Sequence, residues 1–433
     1  MLSRKIVGHK GIRLAGTIEV PGDKSIGHRI LIMGSLARGT TFIRNLPDND
    51  DIDRTIDCLR ELGVKVERSG DASSVTGIKE SYRTPDQPLD CGGSATTMRI
   101  LLGALAGRCK EATLIGDGSL LRRPMDRITK PLRQMGIQCQ GRVEDDGVIL
   151  PPITLQSPDL AEPVSWTLNV ASAQVKTALI LAGMGVKKGR TILTGSLLSR
   201  DHTERLVPQM GGSLVVTDDS IIVEHSELNA IALTLPGDPS SAAFFAAGAA
   251  LLTNSQVTVN NVGLNPSRMG FFEALNWMGG SVKMQEARTE GREPVGQITV
   301  RHRPLHHVEV PKEAVPSLID ELPLLILLAT QATGTTRIHG ISELYIKECD
   351  RIGCTVEGLT RMGASIDVTE DTVTIAGQTP LKGAELDAWG DHRMSMLFTV
   401  AAYAAHGDSN IIDTTCESKS YPEFYSNFQT LVS

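Results

Sequence analysis

The chain has 433 residues, of which 41% are hydrophobic and 21% charged, and its net charge is −7. That length exceeds a single core and predicts two or three domains, while the acidic balance excludes a general nucleic-acid binder. Aromatic residues make up only 4%, so the cores are expected to rest on Leu, Ile, Val, Ala and Met.

At the N-terminus, MLSRKIVGHKGIRLAG lacks an apolar stretch long enough for a signal peptide. Further on, the longest apolar runs, 242–252 and 322–329, fall short of the roughly 18 residues of a membrane span. Cysteines at 58, 91, 109, 139, 349, 354 and 416 form no C-x-x-C pair. A reducing, cytoplasmic setting with small buried thiols is expected.

Along the chain one pattern recurs five times: a β-like run, a polar loop, an amphipathic helix, a Leu/Met-Gly pair, and two strands around an acidic turn. The pairs are Leu62-Gly63, Met135-Gly136, Met210-Gly211, Met278-Gly279 and Met362-Gly363, spaced about 75 residues apart. Ordinary solenoid repeats are shorter, roughly 20–50 residues, which argues against a solenoid. In the last copy Ile352, Val356 and Leu359 share one helical face. Gly363 then supplies a left-handed cap, and the alternating runs 365–368 and 372–375 predict a hairpin around Glu370-Asp371.

Six further segments begin near His28, Ala95, Ser172, Ser240, Asp320 and His392 and are apolar nearly all round. They predict buried helices, most of them opened by a capping Ser, Asp or Thr. Six such helices against five visible copies imply a sixth copy that is split. Its expected halves are SNIIDTTCESKSYPEF near the C-terminus and IRLAGTIEVPG near the N-terminus. The expected fold is therefore α/β and two-lobed, with six βαβαββ repeats, three per lobe. One lobe would comprise 1-22 plus 238-433 and the other 23-237. The similar turns at 21-23 and 236-238 would form the hinge.

Helix N-termini gathered on one side of each lobe would aim positive dipole ends at a common region. Cations decorate those ends: Lys24, Arg29, Arg99, Lys176, Lys347, Arg351 and Arg393, with Arg123, Arg200 and Lys419 in loops. In an acidic chain this points to a small, multiply anionic substrate in a cleft that opens when empty and closes on it. Taken singly, Lys347, Glu348 and Arg351 would suit a solvated helix pair. Asp320-Glu321 and Asp391-His392-Arg393 would likewise suit ordinary helix starts. The histidines, His306-His307 included, lack metal-ligand spacing, and neither G-x-G-x-x-G nor a Walker pattern occurs in context. No metal and no cofactor are expected.

Specific motifs follow in order over nearly the whole chain. They are PGDKSIGHR (21–29), GDGSLLRRPM (116–125), ASAQVKTALILAG (171–183), SRDHTER (199–205) and GDPSSAAFF (237–245). NPSRMG (265–270), IDELP (319–323), ELYIKECDRI (343–352), DHRMSM (391–396) and SKSYP around Lys419 continue the series. Together they resemble the 5-enolpyruvylshikimate-3-phosphate synthase family. The resemblance implies an inside-out α/β barrel of the enolpyruvyl transferase type. It also implies a monomer without cofactor that moves the enolpyruvyl group of phosphoenolpyruvate to the 5-hydroxyl of shikimate-3-phosphate. By the same resemblance, Lys24, Ser25, Arg29, Ser172, Ala173, Gln174, Arg200, Asp320 and Lys347 would contact shikimate-3-phosphate. Lys24, Gly93, Ala95, Arg123, Gln174, Arg351, Arg393 and Lys419 would surround phosphoenolpyruvate. Asp320 would serve as base and Glu348 as acid, with Lys24 between the ligands.

Departures from the family pattern fall at a few positions. In DCGGSATTMR (90–99), Gly93 stands where the family has Asn and Ala95 where it has Gly. The added methyl implies a tighter phosphoenolpyruvate pocket and reduced glyphosate sensitivity. Gly27, Tyr345 and Cys349 replace a usual Ser, Arg and Ser or Thr. An altered acceptor or a silent binding homologue stays open at this stage, although the retained charged residues favour catalysis. Lys24-Ser25 and the lack of Cys between 110 and 138 argue against the sister group that uses UDP-N-acetylglucosamine.

Overall fold

A helix that is apolar all round has no face to give to water, so it must be enclosed by other elements. The computed structural model, which describes every residue except 1, 10, 79, 80, 146, 159 and 160, shows how each repeat meets that demand. Two helices alternate in every repeat. The first repeat carries α1 (Lys24–Leu36) and α2 (Asp50–Glu61), the second α3 (Ala95–Leu105) and α4 (Asp126–Gln134), and the third α5 (Ala173–Met184) and α6 (His202–Gln209). The fourth carries α7 (Pro239–Leu251) and α8 (Gly270–Trp277). The short α9 (Val315–Leu318) precedes α10 (Leu322–Gln331) and α11 (Arg351–Arg361), and the last repeat holds α12 (His392–Ala404) and α13 (Phe424–Leu431).

The amphipathic helices α2, α4, α6, α8 and α11 all stop in the same way. Leu62, Met135, Met210, Met278 and Met362 take the C-cap position, and the following glycine adopts φ between 82° and 101°. That left-handed turn is cheap for glycine alone, and it redirects the chain into the hairpin that follows. Ser365–Thr369 and Thr372–Ala376 pair antiparallel, as the alternating pattern predicts.

Each repeat contributes one sheet whose edge strand runs parallel to the next strand in the ladder. The N-terminal segment departs from expectation here. Ala15–Glu19, expected to complete the sixth copy, instead pairs parallel with Gln256–Gly263 of the fourth. The sixth sheet is completed by Ser3–Gly8, antiparallel to Gly407–Ile412, which in turn lies parallel to Glu385–Asp387. Edge strands have thus been exchanged where the chain passes from one compact unit to the other. Ala232–Thr234 pairs with Thr40–Arg44 in the first sheet although it leads into α7.

One unit comprises residues 1–21, 236–289 and 294–433, and the other 22–235 and 290–293. In the latter, α1, α3 and α5 form the core with aliphatic partners, Tyr82 being its one fully buried aromatic residue. In the former, α7, α10 and α12 form the core. There Phe244, Phe245, Tyr421, Phe424 and Phe428 pack ring against ring, so the scarce aromatic residues are concentrated rather than absent. Among the described residues no helix is long and apolar enough to cross a membrane.

Helices α3 and α5 approach each other backbone to backbone. A Cβ on Gly103 would sit 2.1 Å from the carbonyl oxygen of Ala178, which has no flexible atom to move aside. Gly103→Ala should therefore cost about 3 kcal/mol of stability, read as a fall in the urea midpoint. Wild-type stability in that variant would show that the two helices are not in this register.

Candidate active site

In the unit 22–235, three helix N-termini carry the sequence-predicted ligands. Asp23, Ser94 and Ser172 cap α1, α3 and α5 by accepting from the backbone N–H of Ile26, Thr97 and Val175. Lys24 and Ser25 open α1, Ala95 opens α3 behind Gly93, and Ala173 and Gln174 open α5. The nearly buried Arg29 donates to the Ser25 carbonyl at 2.8 Å, to Thr203 Oγ1 at 3.0 Å and to the Ala173 carbonyl at 3.4 Å. It thereby binds α1, α5 and α6 together. Arg200 reaches Ser25 Oγ at 3.1 Å. Gln174 Oε1 accepts from Arg99 at 2.7 Å, and its Nε2 donates to Thr96 Oγ1 at 2.8 Å, so α5 is joined to α3. Arg123 is buried just after the short turn Leu120–Arg122.

Two acidic partners in this unit were not apparent from the sequence. Asp51 in the first turn of α2 holds Lys24 Nζ at 2.7 Å. Glu204 holds the buried Lys176 at 2.6 Å, and Lys176 also donates to the carbonyls of Leu197 and Ser199. Lys176, expected among the anion-binding cations, is therefore bound to the segment that carries Arg200. Asp51 lies in an acidic run, PDNDDIDR, that reads locally as helix-start charge and gives no hint of Lys24.

In the unit 236–433, one guanidinium gathers three carboxylates. Arg351 donates from Nε to Asp391 Oδ2 at 2.8 Å, from one terminal nitrogen to Asp320 at 3.0 Å, and from the other to Glu348 at 2.5 Å. Burial opposes its charge, but Asp391, Glu348 and Asp320 outweigh that and hold its pKa well above the ordinary arginine value. Asp391 also caps α12 through the Arg393 N–H at 2.8 Å. Asp320 has two further cations nearby, Arg393 at 3.4 Å and Lys347 at 3.9 Å. Glu321, beside it, accepts from Ser240 Oγ and lies 3.7 Å from Arg393. The cap of α7 is Asp238 rather than Ser240, and Arg268 donates to both.

The charges in ELYIKECDRI do not share a helix, which is the bland reading of their spacing. Residues 345–350 are non-helical, and Asp350 caps α11 by accepting from the Gly353 N–H at 2.9 Å. Cys349 donates toward Asp391 at 3.7 Å. Hydrogen bonding with Cys354, burial and Asp391 push its thiol pKa up. Lys419 donates to the Gly390 carbonyl at 2.9 Å from the end of the 3₁₀ turn Thr414–Lys419. Arg4 secures that turn by gripping Glu417 with two bonds of 2.6 and 2.8 Å, and Ser395 Oγ donates to the same carboxylate. Among the described residues no cluster of His, Cys, Asp and Glu is disposed to hold a metal ion.

Arranged in this way, the chain can hold carboxylates and phosphates at helix N-termini and can present two carboxylates, Asp320 and Glu348, on a shared cation. Comparison with known proteins gives the family. Residues 9–428 match the family model for EPSP synthase (3-phosphoshikimate 1-carboxyvinyltransferase). The chain is 43% identical over 423 residues to a 3-phosphoshikimate 1-carboxyvinyltransferase of Geobacillus thermodenitrificans, covering 97% of both chains. It is 44% identical to the protein of that name from Geobacillus kaustophilus, covering 97% of this chain and 98% of the relative. EPSP synthase from Acinetobacter baumannii superposes with a TM-score of 0.86 at 33% identity, over 100% of this chain and 99% of that one. The enolpyruvyl transferase NikO from Streptomyces tendae shares the fold, with a TM-score of 0.79 at 18% identity over 99% of this chain and 96% of its own.

Replacing Arg351 by Met would leave Asp320, Glu348 and Asp391 crowded without their shared cation. A stability loss of about 3–5 kcal/mol is expected in urea unfolding. Arg351→Lys should restore only part of it, since a point charge cannot serve three carboxylates as the planar guanidinium does. Unaltered stability in Arg351→Met would contradict the three-way pairing.

Proposed function

Because the chain belongs to the EPSP synthase family, we propose that it transfers the enolpyruvyl group of phosphoenolpyruvate to the 5-hydroxyl of shikimate-3-phosphate, releasing inorganic phosphate. The observation that carries this reading is the pair of carboxylates on Arg351, Asp320 at 3.0 Å and Glu348 at 2.5 Å. Addition of a hydroxyl to an enol phosphate requires a base at the hydroxyl and an acid at the methylene carbon. Asp320, among three cations, takes the hydroxyl proton, and Glu348 protonates the methylene. The tetrahedral intermediate then loses phosphate as Glu348 recovers its proton from the new methyl group, and the proton held by Asp320 leaves with the phosphate.

The remaining residues bind and orient. Lys24, Ser25, Ser172, Gln174 and Arg200 hold shikimate-3-phosphate, with Ala173 acting through its backbone N–H and Lys347 beside Asp320. Arg29 contributes by fixing the carbonyls of Ser25 and Ala173. Arg123, Gln174, Arg351, Arg393 and Lys419 hold phosphoenolpyruvate, with Lys24 serving both ligands and Gly93 and Ala95 forming the wall at the start of α3. The enzyme acts as a monomer in the cytoplasm on these two small molecules, without nucleic acid, membrane or cofactor. The expected lobe bounds, 1-22 plus 238-433 and 23-237, shift slightly to the two units described above, and the chain passes between those units at the turns 21-23 and 236-238.

Phosphate release from phosphoenolpyruvate should occur with shikimate-3-phosphate and not with UDP-N-acetylglucosamine. Asp320→Ala and Glu348→Gln should each lower kcat by about 10² or more. No turnover with shikimate-3-phosphate would sink the assignment. Ala95 is buried at the first position of α3, and its methyl takes room that glyphosate needs. Ala95→Gly should lower the glyphosate inhibition constant roughly tenfold or more, the scale of one methyl in a tight pocket. An unchanged constant would show that another residue sets sensitivity.

A further inference from the structure

Four buried side chains run from the first turns of α1 to the cap of α3: His28, Thr55, Thr97 and Ser94. His28 Nδ1 lies 2.7 Å from Thr55 Oγ1, and Thr55 Oγ1 lies 2.7 Å from Thr97 Oγ1. Thr97 Oγ1 donates to Ser94 Oγ at 2.9 Å. Each threonine hydroxyl has a single proton, and counting protons fixes the direction of the whole chain. Thr97 gives its proton to Ser94, so toward Thr55 it can only accept. Thr55 gives its proton to Thr97, so toward His28 it too can only accept. His28 must then carry its proton on Nδ1. The Asp51 carbonyl, 3.4 Å from both threonine hydroxyls, is at the long limit and competes weakly.

The other end of the imidazole agrees with this assignment. Nε2 of His28 is buried and has no hydrogen-bond partner, and an unmet lone pair there is easier to tolerate than an unmet N–H. Burial, with the charges of Lys24 and Arg29, pushes His28 well below the usual histidine range, so the ring stays neutral. At the far end, Ser94 Oγ accepts from both the Thr97 N–H at 3.3 Å and the Thr97 hydroxyl. Both lone pairs are occupied, and its own proton is left to be given away.

We propose that this directed chain makes Ser94 an obligate hydrogen-bond donor to the anion held at the N-terminus of α3, with His28 and Thr55 as positioning residues that set its polarity. The identity of that anion, phosphoenolpyruvate, rests on the function proposed above. Neighbouring hydroxyls polarised in one sense strengthen each other, which suits a donor that must meet a charged acceptor.

Two measurements test it. Long-range ¹H–¹⁵N correlation on histidine-labelled free protein, with His28 assigned through its loss in His28→Asn, should show the Nδ1–H tautomer. An Nε2–H pattern overturns the chain whatever the enzyme transfers. In steady-state assays Thr55→Val should raise KM for phosphoenolpyruvate roughly tenfold while moving kcat and KM for shikimate-3-phosphate much less. Thr55→Ser, which keeps the hydroxyl, should recover most of that loss. An unchanged KM for phosphoenolpyruvate in Thr55→Val, or an equal rise in both KM values, refutes the proposal. A wild-type enzyme that does not consume phosphoenolpyruvate would instead refute the proposed reaction, while the tautomer remains readable.

Discussion

Helices that are apolar on every side govern the rest of this protein, because they can exist only with sheets and amphipathic helices packed around them. Their bodies are sealed, so their ends become the places where backbone N–H groups are still available for polar partners. Five of the six, α1, α3, α5, α7 and α12, close their N-termini with a side chain, from Asp23, Ser94, Ser172, Asp238 and Asp391. The exception is α10, whose N-cap Glu321 makes no such bond. Its two preceding acids are directed instead to Arg351, Arg393 and Ser240. The helix start that departs from the shared scheme is the one that carries the proposed base.

Cations in both units meet carboxylates of the protein itself. Asp51 on Lys24, Glu204 on Lys176 and three acids on Arg351 show how an acidic chain can bury so much positive charge. Burying an unpaired charge would be far more costly than burying a pair. An incoming phosphate or carboxylate therefore competes with an existing acidic partner rather than meeting a bare cation. Exchange of this kind favours ligands whose several anionic groups act together over simple anions.

Much of the architecture was legible because its signals are local. A Met-Gly or Leu-Gly pair specifies a helix end by backbone conformation alone, and a continuous apolar run with a capping residue specifies a buried helix. What escaped was pairing between distant segments. Ser3–Gly8 carries Arg4 and Lys5 and has no strong strand pattern, yet it completes the sixth sheet. Ala15–Glu19 reads plainly as a strand, but nothing in it indicates that Gln256–Gly263 is its neighbour. At the site, the residue types around Arg351 and the helix start at Asp391 were visible, whereas the role of Asp391 as guanidinium partner required the fold. His28 and Thr55 gave no signal at all, since their significance lies in which atom holds a proton.

The pairing of Ser3–Gly8 with Gly407–Ile412 also bears on how the chain is made. Ser3–Gly8 leaves the ribosome long before its partner strand, so it must wait, unpaired, while the intervening repeats emerge. The unit of residues 22–235 and 290–293 has all but four of its residues before α7 is made and can assemble early. The turn bearing Lys419 is gripped by Arg4 only when the segments around Arg4 and Glu417 meet. A nascent chain thus cannot complete the support of the turn that bears Lys419 until both Arg4 and Glu417 have been made, so the two segments, some 400 residues apart, mature together.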